Sequence, residues 1–276
     1  HEDVTSDMRA ATLFFKGRGV PTFHIPHANC HLLPGVQDVH RETRAEYLLA
    51  AGKYMAEFYA GGVTAEKIII VGEPQLDRLY HASLPDKAEA RRVLGITSER
   101  VMLYGTTWQQ TTSLRSRWER ELDDTLAAVI KYARERDAYL MIGMHPGDAD
   151  ANAAYYAAAM EQAGIDGLVT KAHTDYTLAA ADVLIENGPS NFCIWAAKFG
   201  VPSCYIQTEG FDYAHLLPPR GRAEDMPALI DAAIISTGAP EWDDFIRTYN
   251  AAHPEGNAVD RTLAAIEGVV NAAVVN

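Results

Sequence analysis

The chain has 276 residues, 48% hydrophobic and 22% charged, enough to bury one large core or two smaller ones. Its formal net charge of −13 gives no overall attraction to nucleic acid or to an anionic bilayer, so no nucleic-acid partner is expected. No apolar run approaches the roughly 20 residues of a membrane span and no signal peptide is visible; Cys30, Cys193 and Cys204 lie far apart in apolar surroundings as reduced thiols, and the expected compartment is the cytoplasm.

Met8, Ala11, Leu13, Phe14 and Phe15 recur at helical spacing and predict a helix over 7–16, ended by Gly17 and Gly19. The opening segment HEDVTSDMRAATLFFKGRG, 1–19, reads like the middle of a domain, so the first strands of an N-terminal domain are expected to be missing. A short strand over 21–26 runs into a polar loop over 27–44, and the apolar segment 46–51 reads as a second strand. A helix over 53–59 stops at Gly61-Gly62, and the run KIIIV, 67–71, reads as a buried strand. This order, strand, loop, strand, helix, strand, is that of a parallel sheet. Gly72 and Pro74 then break the strand, and Pro85 with a charged helix over 86–94 forms a connector.

A second alternation follows. Strands are predicted over 101–105, 139–144, 167–170, 182–185 and 203–206, with helices over 116–135, 153–163, 175–180 and after residue 191. A helix over 226–236 and a helical tail, 240–250 with 259–270, complete the chain. The expected division is an incomplete, acceptor-side Rossmann-like domain over 1–84 and a nucleotide-binding Rossmann-like domain with the tail over 85–276.

Ligands of such sheets sit at the carboxyl ends of the strands, and the distinctive polar residues of this chain fall there. After DVLI comes Glu186-Asn187-Gly188-Pro189-Ser190-Asn191: Gly188 permits close approach, Pro189 needs no partner for its nitrogen, and Ser190 can cap the next helix. That is an anion-binding turn, or an ordinary capped strand-to-helix turn. Thr106 and Thr107 open the loop TTWQQTTSLRSR, whose hydroxyls with Arg115 and Arg117 suit phosphate oxygens or a solvated loop. His145, fixed in direction by Pro146, can donate to a diphosphate or serve as a structural histidine. His27 follows the strand of the first domain, where an imidazole can take a proton from an acceptor hydroxyl. His24, His27, His31 and His40 lack a tight ligand pattern, so no metal is expected. Glu209, Asp212 and His215 suit sugar hydroxyls or a charged surface loop.

As an ordered set, PTFHIPH, EKIIIVGEPQLD, VMLYGTTW, MIGMHPG and LAAADVLIENGPSNFCIWAAKFGVPSCYI resemble nucleotide-sugar enzymes of the two-Rossmann glycosyltransferase B type. The branch they resemble is that of the CDP-glycerol glycerophosphotransferases and capsule or teichoic acid polymerases, with the non-hydrolysing UDP-GlcNAc 2-epimerases as cousins, over about residues 17–206. The resemblance implies an α/β fold of two Rossmann-like domains facing across a cleft. It implies a transferase that moves a glycosyl or polyol-phosphate group from a nucleotide-activated donor to an acceptor hydroxyl, without metal or other cofactor. His27 would be the base, and Thr106, Thr107, His145, Glu186, Gly188, Ser190 and Asn191 would hold the donor nucleotide and its diphosphate. Glu209 and Asp212 would hold the donor sugar, and Gly72 to Asp77 matches the family's G-N-P-x-x-D turn. Two departures stand out. Ala28 follows the histidine where the family has glycine, and NFCIWAAK lacks the carboxylate with which related enzymes grip the ribose. A sugar 2-epimerase using Glu73, Glu186, Glu209 and Asp212, and an inactive nucleotide-binding module, are the alternatives.

Overall fold

The computed structural model describes residues 6–26, 43–81, 83, 85–106, 115–146, 150–172, 174–187, 192–207 and 217–275. In chain order the elements are α1 (Ser6–Lys16), β1 (Phe23–His24), β2 (Tyr47–Ala50), α2 (Lys53–Tyr59), β3 (Ile68–Ile70), α3 (Arg78–His81), α4 (Lys87–Val93), β4 (Val101–Gly105) and α5 (Arg115–Glu135). They continue as β5 (Tyr139–Gly143), α6 (Asp150–Ala163), β6 (Gly167–Thr170), α7 (Thr174–Ala180), β7 (Val183–Glu186), α8 (Phe192–Lys198), β8 (Ser203–Ile206), β9 (Arg220–Gly221), α9 (Met226–Ser236), α10 (Glu241–Tyr249) and α11 (Ala258–Val275). The chain forms two compact units, 1–82 with 240–276, and 83–239.

The first unit carries a parallel sheet in the order β1-β2-β3. Leu48 and Ala50 of β2 turn onto Met55 and Tyr59 of α2 and onto Val63, a small closed core. The KIIIV strand is less buried than its composition predicts. Among the described residues β3 has a strand neighbour on one side only, and Ile70 stays 39% exposed.

The helical tail, which the sequence reading placed with the second domain, belongs to the first compact unit. α10 buries Trp242, Phe245, Ile246 and Tyr249. Tyr249 meets Tyr54 of α2 with ring centroids 5.1 Å apart, and the Ala251 N–H donates to the Ala51 carbonyl at 2.9 Å. The apolar stripe of α10 makes burial of that face certain, but such a stripe carries no address for the sheet that receives it.

Among the described residues the second unit carries six parallel strands in the order β6-β5-β4-β7-β8-β9. Counted along this unit alone the order is 3-2-1-4-5-6, that of the doubly wound dinucleotide-binding sheet. Both faces are covered. Tyr104, Ile142 and Ile185 pack towards α5, α6 and α9, while Leu103, Met141 and Leu184 pack towards α4, α7 and α8. Coverage on both sides is why VMLYG and YLMIG read as continuous apolar runs rather than alternating ones. Asp182, just before β7, accepts from the Val101 N–H at 2.8 Å, from Lys87 at 2.9 Å and from Arg91 at 2.8 Å, tying α4 and the start of β4 to the start of β7. β9 is a two-residue polar strand that no apolar pattern announces.

Candidate functional site

In a sheet of this order the strand direction of travel reverses between the first and fourth strands, here β4 and β7, and the crevice outside their carboxyl ends is the ligand position. Register brings the relevant residues to one edge. Gly105 pairs with Gly143 on one side and with Glu186 on the other, so Thr106, His145 and Asn187 leave the sheet close together. The Thr106 N–H donates to the Gly143 carbonyl at 3.0 Å, and the Met144 N–H donates to the Thr170 carbonyl at 2.8 Å, extending the ladder beyond the strands.

Thr106 has a defined task. Its hydroxyl oxygen accepts the His145 N–H at 2.8 Å, so the end of β4 fixes the segment that carries His145-Pro146. Thr106→Val keeps the shape and removes that acceptor, leaving a part-buried N–H without it at a cost of about 1–3 kcal/mol. The expected result is a Tm a few degrees lower, with recovery in Thr106→Ser; equal Tm values for the valine and serine variants would show that the bond does not matter.

Glu186 and Asn187 are buried, at 2% and 0% exposure. Glu186 shares a sheet face with Leu184, and its Cγ lies 3.4 Å from where a Cβ on Gly105 would stand. A buried carboxylate repels a diphosphate. Glu186 is suited to accepting a hydrogen bond from a hydroxyl or a base N–H, not to touching phosphate oxygens. Burial, and then the Glu186 charge, push the Cys204 thiol up to about 12, so it stays protonated and inert at neutral pH. Cys193 and Cys204 are the buried free thiols the sequence implies; Cys30 lies outside the described residues.

The first residue of α8 was not anticipated. A Cβ on Gly105 would stand 3.1 Å from Phe192 Cδ1, and one on Gly143 would stand 3.7 Å from Phe192 Cε1, so one ring covers the ends of both strands. The signal available in the sequence was a glycine closing each of two neighbouring strands, VMLYG and LMIG.

His27, Thr107, Gly188, Ser190, Asn191, Glu209 and Asp212 lie outside the described residues, as do His31, His40 and His215. His24 is fully buried at the end of β1, with Nε2 3.3 Å from the Tyr59 hydroxyl, and is a core residue of the first unit. Glu73, offered for epimerase chemistry, is also buried, and its N–H donates to Asn250 Oδ1 at 2.9 Å. In the Gly72–Asp77 turn the Asp77 carboxylate accepts the N–H groups of Ala258 at 3.0 Å and Val259 at 2.8 Å, capping α11. The end of the G-N-P-x-x-D pattern is thus a helix cap.

The family model described as CDP-Glycerol:Poly(glycerophosphate) glycerophosphotransferase matches residues 25–187, a span that includes the ends of β4, β5 and β7. No curated protein matches the sequence significantly. Among solved structures, S. aureus MnaA in a co-structure with UDP is similar at 15% identity and a TM-score of 0.64, over 97% of this chain and 74% of that one. Anabaena Alr3699/HepE with UDP and glucose is similar at 15% identity and a TM-score of 0.57, over 96% and 76%. Methanocaldococcus jannaschii UDP-GlcNAc 2-epimerase with UDP-GlcNAc and UDP is similar at 10% identity and a TM-score of 0.56, over 81% and 61%. These likenesses establish the fold, an α/β architecture of the glycosyltransferase B type.

Proposed function

The chain belongs to the CDP-glycerol:poly(glycerophosphate) glycerophosphotransferase family, and from that premise we propose that it moves glycerol phosphate from CDP-glycerol to an acceptor hydroxyl. The observation that carries the reading is the meeting of Thr106, His145 and Glu186-Asn187 at the carboxyl edge of β4, β5 and β7, where a sheet of this order takes its nucleotide.

The acceptor oxygen attacks the phosphorus that bears the glycerol. A new O–P bond forms, the bond from that phosphorus to the bridging oxygen of the diphosphate breaks, and CMP departs with added negative charge. Oriented donors stabilise such a leaving group, and in this reading His145, Thr107, Ser190 and Asn191 provide them, with Gly188 allowing close approach and no metal taking part. Thr106 acts through His145 by holding its backbone. Glu186 accepts from the nucleoside, His27 takes the proton lost by the acceptor hydroxyl, and Glu209 and Asp212 hold the hydroxyls of the transferred polyol. Among the described residues no helix is long and apolar enough to cross a membrane. We place the reaction in the cytoplasm, which supplies nucleotide-linked donors and keeps buried thiols such as Cys193 and Cys204 reduced.

The test is a thermal-shift panel of CDP-glycerol against UDP-, GDP- and dTDP-linked sugars. At about a hundred times its Kd the right donor stabilises the protein by about 2.7 kcal/mol. CDP-glycerol is expected to give the largest shift, and His145→Ala to need roughly tenfold more of it, as the loss of one charge-assisted hydrogen bond predicts. His27→Ala should keep the shift and lose turnover. A wild-type protein that no nucleotide stabilises would end the proposal, and inversion at C2 of a nucleotide-linked sugar without any acceptor would turn it towards an epimerase.

A further inference from the structure

We infer that Asn250, on the loop between α10 and α11, is a positioning residue for the turn at the carboxyl end of β3, acting on the acceptor side of the proposed reaction. The inference rests on that reaction for its functional meaning, and on hydrogen bonds within the first unit for its geometry.

β3 ends at Ile70, and the chain turns sharply at Gly72, where φ is +104°. The next N–H, that of Glu73, is buried and has left the strand ladder, and Asn250 Oδ1 accepts it at 2.9 Å. The same oxygen accepts the Ala252 N–H at 3.2 Å, so one side-chain atom sets both the β3 turn and the loop that bears it. Asn250 has no exposed surface, which fixes its position without help from solvent. Ala252 and Ala258 fill the space beside Gly72; a Cβ there would stand 2.6 Å and 2.8 Å from theirs.

A second fastening lies one turn further along. The Tyr80 hydroxyl is 2.9 Å from His253 Nδ1, and His253 Nε2 is 3.2 Å from Asp243 Oδ1. A carboxylate accepts only, so Nε2 donates to Asp243, and in the neutral imidazole Nδ1 is then left to accept the phenol O–H. Burial pushes the Tyr80 phenol up to about 12 and keeps that donor in place at neutral pH. His81 Nε2 donates to the Gly256 carbonyl at 2.6 Å, and Asp77 caps α11 as described above. Asn250 Nδ2 also donates to the Tyr80 hydroxyl, at 3.5 Å, so Tyr80 is tied to Asn250 as well as to His253, and the His81–Gly256 bond is the separable point. The Tyr80 and His81 bonds secure the tail. The Asn250 bond reaches the Glu73 N–H inside the β3 turn, and Arg261 Nη2 of α11 donates to the Ile70 carbonyl at 3.2 Å just before it, at the strand end where parallel sheets present ligands.

The two fastenings make opposite demands on activity. With CDP-glycerol as donor and glycerol phosphate as acceptor, Asn250→Ala is expected to lower acceptor kcat/KM about tenfold or more, since misplacement by an ångström costs up to about a hundredfold. Its Kd for CDP-glycerol should stay within about twofold, because donor groups lie in the other unit. His81→Ala, which removes the bond to the Gly256 carbonyl, should lower Tm and leave acceptor kcat/KM within about twofold, and Asn250→Asp, which keeps the accepting oxygen, should recover part of the loss. The inference is overturned if Asn250→Ala keeps full acceptor kcat/KM, or if His81→Ala loses as much, since activity would then follow stability alone. Should Asn250→Ala not fold, Asn250→Ser is read in the same way. Hydrogen exchange at the Glu73 amide separates this inference from the reaction on which it rests: a wild-type protein that binds no CDP-glycerol sinks the reaction, whereas unchanged Glu73 protection in the Asn250 variant sinks the positioning role.

Discussion

Gly72→Ala is expected to unfold the first unit at a temperature roughly 10 °C lower, the consequence of about 3 kcal/mol or more of lost stability in a unit of this size. Two costs combine. A φ of +104° is strained for any residue with a Cβ, by about 1–3 kcal/mol. The added methyl would also stand 2.6 Å from Ala252 Cβ and 2.8 Å from Ala258 Cβ, separations that van der Waals radii forbid. Neither neighbour has a flexible end to move aside, so the tail loop itself must shift, and with it the Asn250 acceptor of the Glu73 N–H. Calorimetry with amide exchange on β2 and α10 reads the outcome. A Gly72→Ala protein whose first unit melts within 1–2 °C of wild type would show that the loop yields at little cost, against the close packing described. Gly95→Ala is the comparison, for its φ is +71° and nothing lies within 4 Å of its added methyl, so strain acts alone.

How much of this was legible in the sequence depends on whether a residue acts through its own pattern or through a distant partner. The strands over 101–105 and 203–206 and the helices over 53–59 and 226–236 agree with their predicted spans residue for residue, because apolar period and flanking glycine or proline are local properties. The alternation of strand and helix likewise implied the parallel sheets. By contrast, the tail pairs with residues about 180 positions away, as Asp77 with Val259 does, and no local signal encodes that choice. Gly72 to Asp77 was visible as a family turn, yet its chemistry as a cap and a clearance appeared only with its partners in place. At the site, the strand ends singled out Thr106, His145 and Glu186 correctly as neighbours. They did not reveal that Thr106 spends its oxygen on the His145 backbone, or that Glu186 is buried beside Phe192. A side chain's role within a cluster depends on direction, which composition and spacing do not carry.

The second large effect is expected at Gly105, and a graded series separates packing from binding. Gly105 ends β4 between Gly143 and Glu186, beneath the Phe192 ring. A single added methyl would stand 3.1 Å from Phe192 Cδ1 and 3.4 Å from Glu186 Cγ, so Gly105→Ala needs only a shift of a few tenths of an ångström and should cost less than about 1 kcal/mol. Gly105→Val adds two further methyls at a β-branched centre with few rotamers, and it must displace the ring, the carboxylate or both, at about 2–3 kcal/mol. Because Phe192 opens α8 and Glu186 closes β7, that displacement falls on both sides of the proposed nucleotide turn. CDP-glycerol should then give the valine variant little or no thermal shift, while the alanine variant keeps most of it. Gly143→Ala provides the contrast, since its methyl would meet Leu103 at 3.4 Å and Phe192 at 3.7 Å, ordinary contact distances, and should leave both stability and donor binding near wild type. If the valine variant melts lower yet binds CDP-glycerol as tightly as wild type, the nucleotide does not lie at the ends of β4 and β7. The strand order alone would then have misled. Loss of binding in Gly105→Val with retention in Gly143→Ala would instead tie the donor to the β4 and β7 side of the strand ends, where Glu186 and Asn187 are buried.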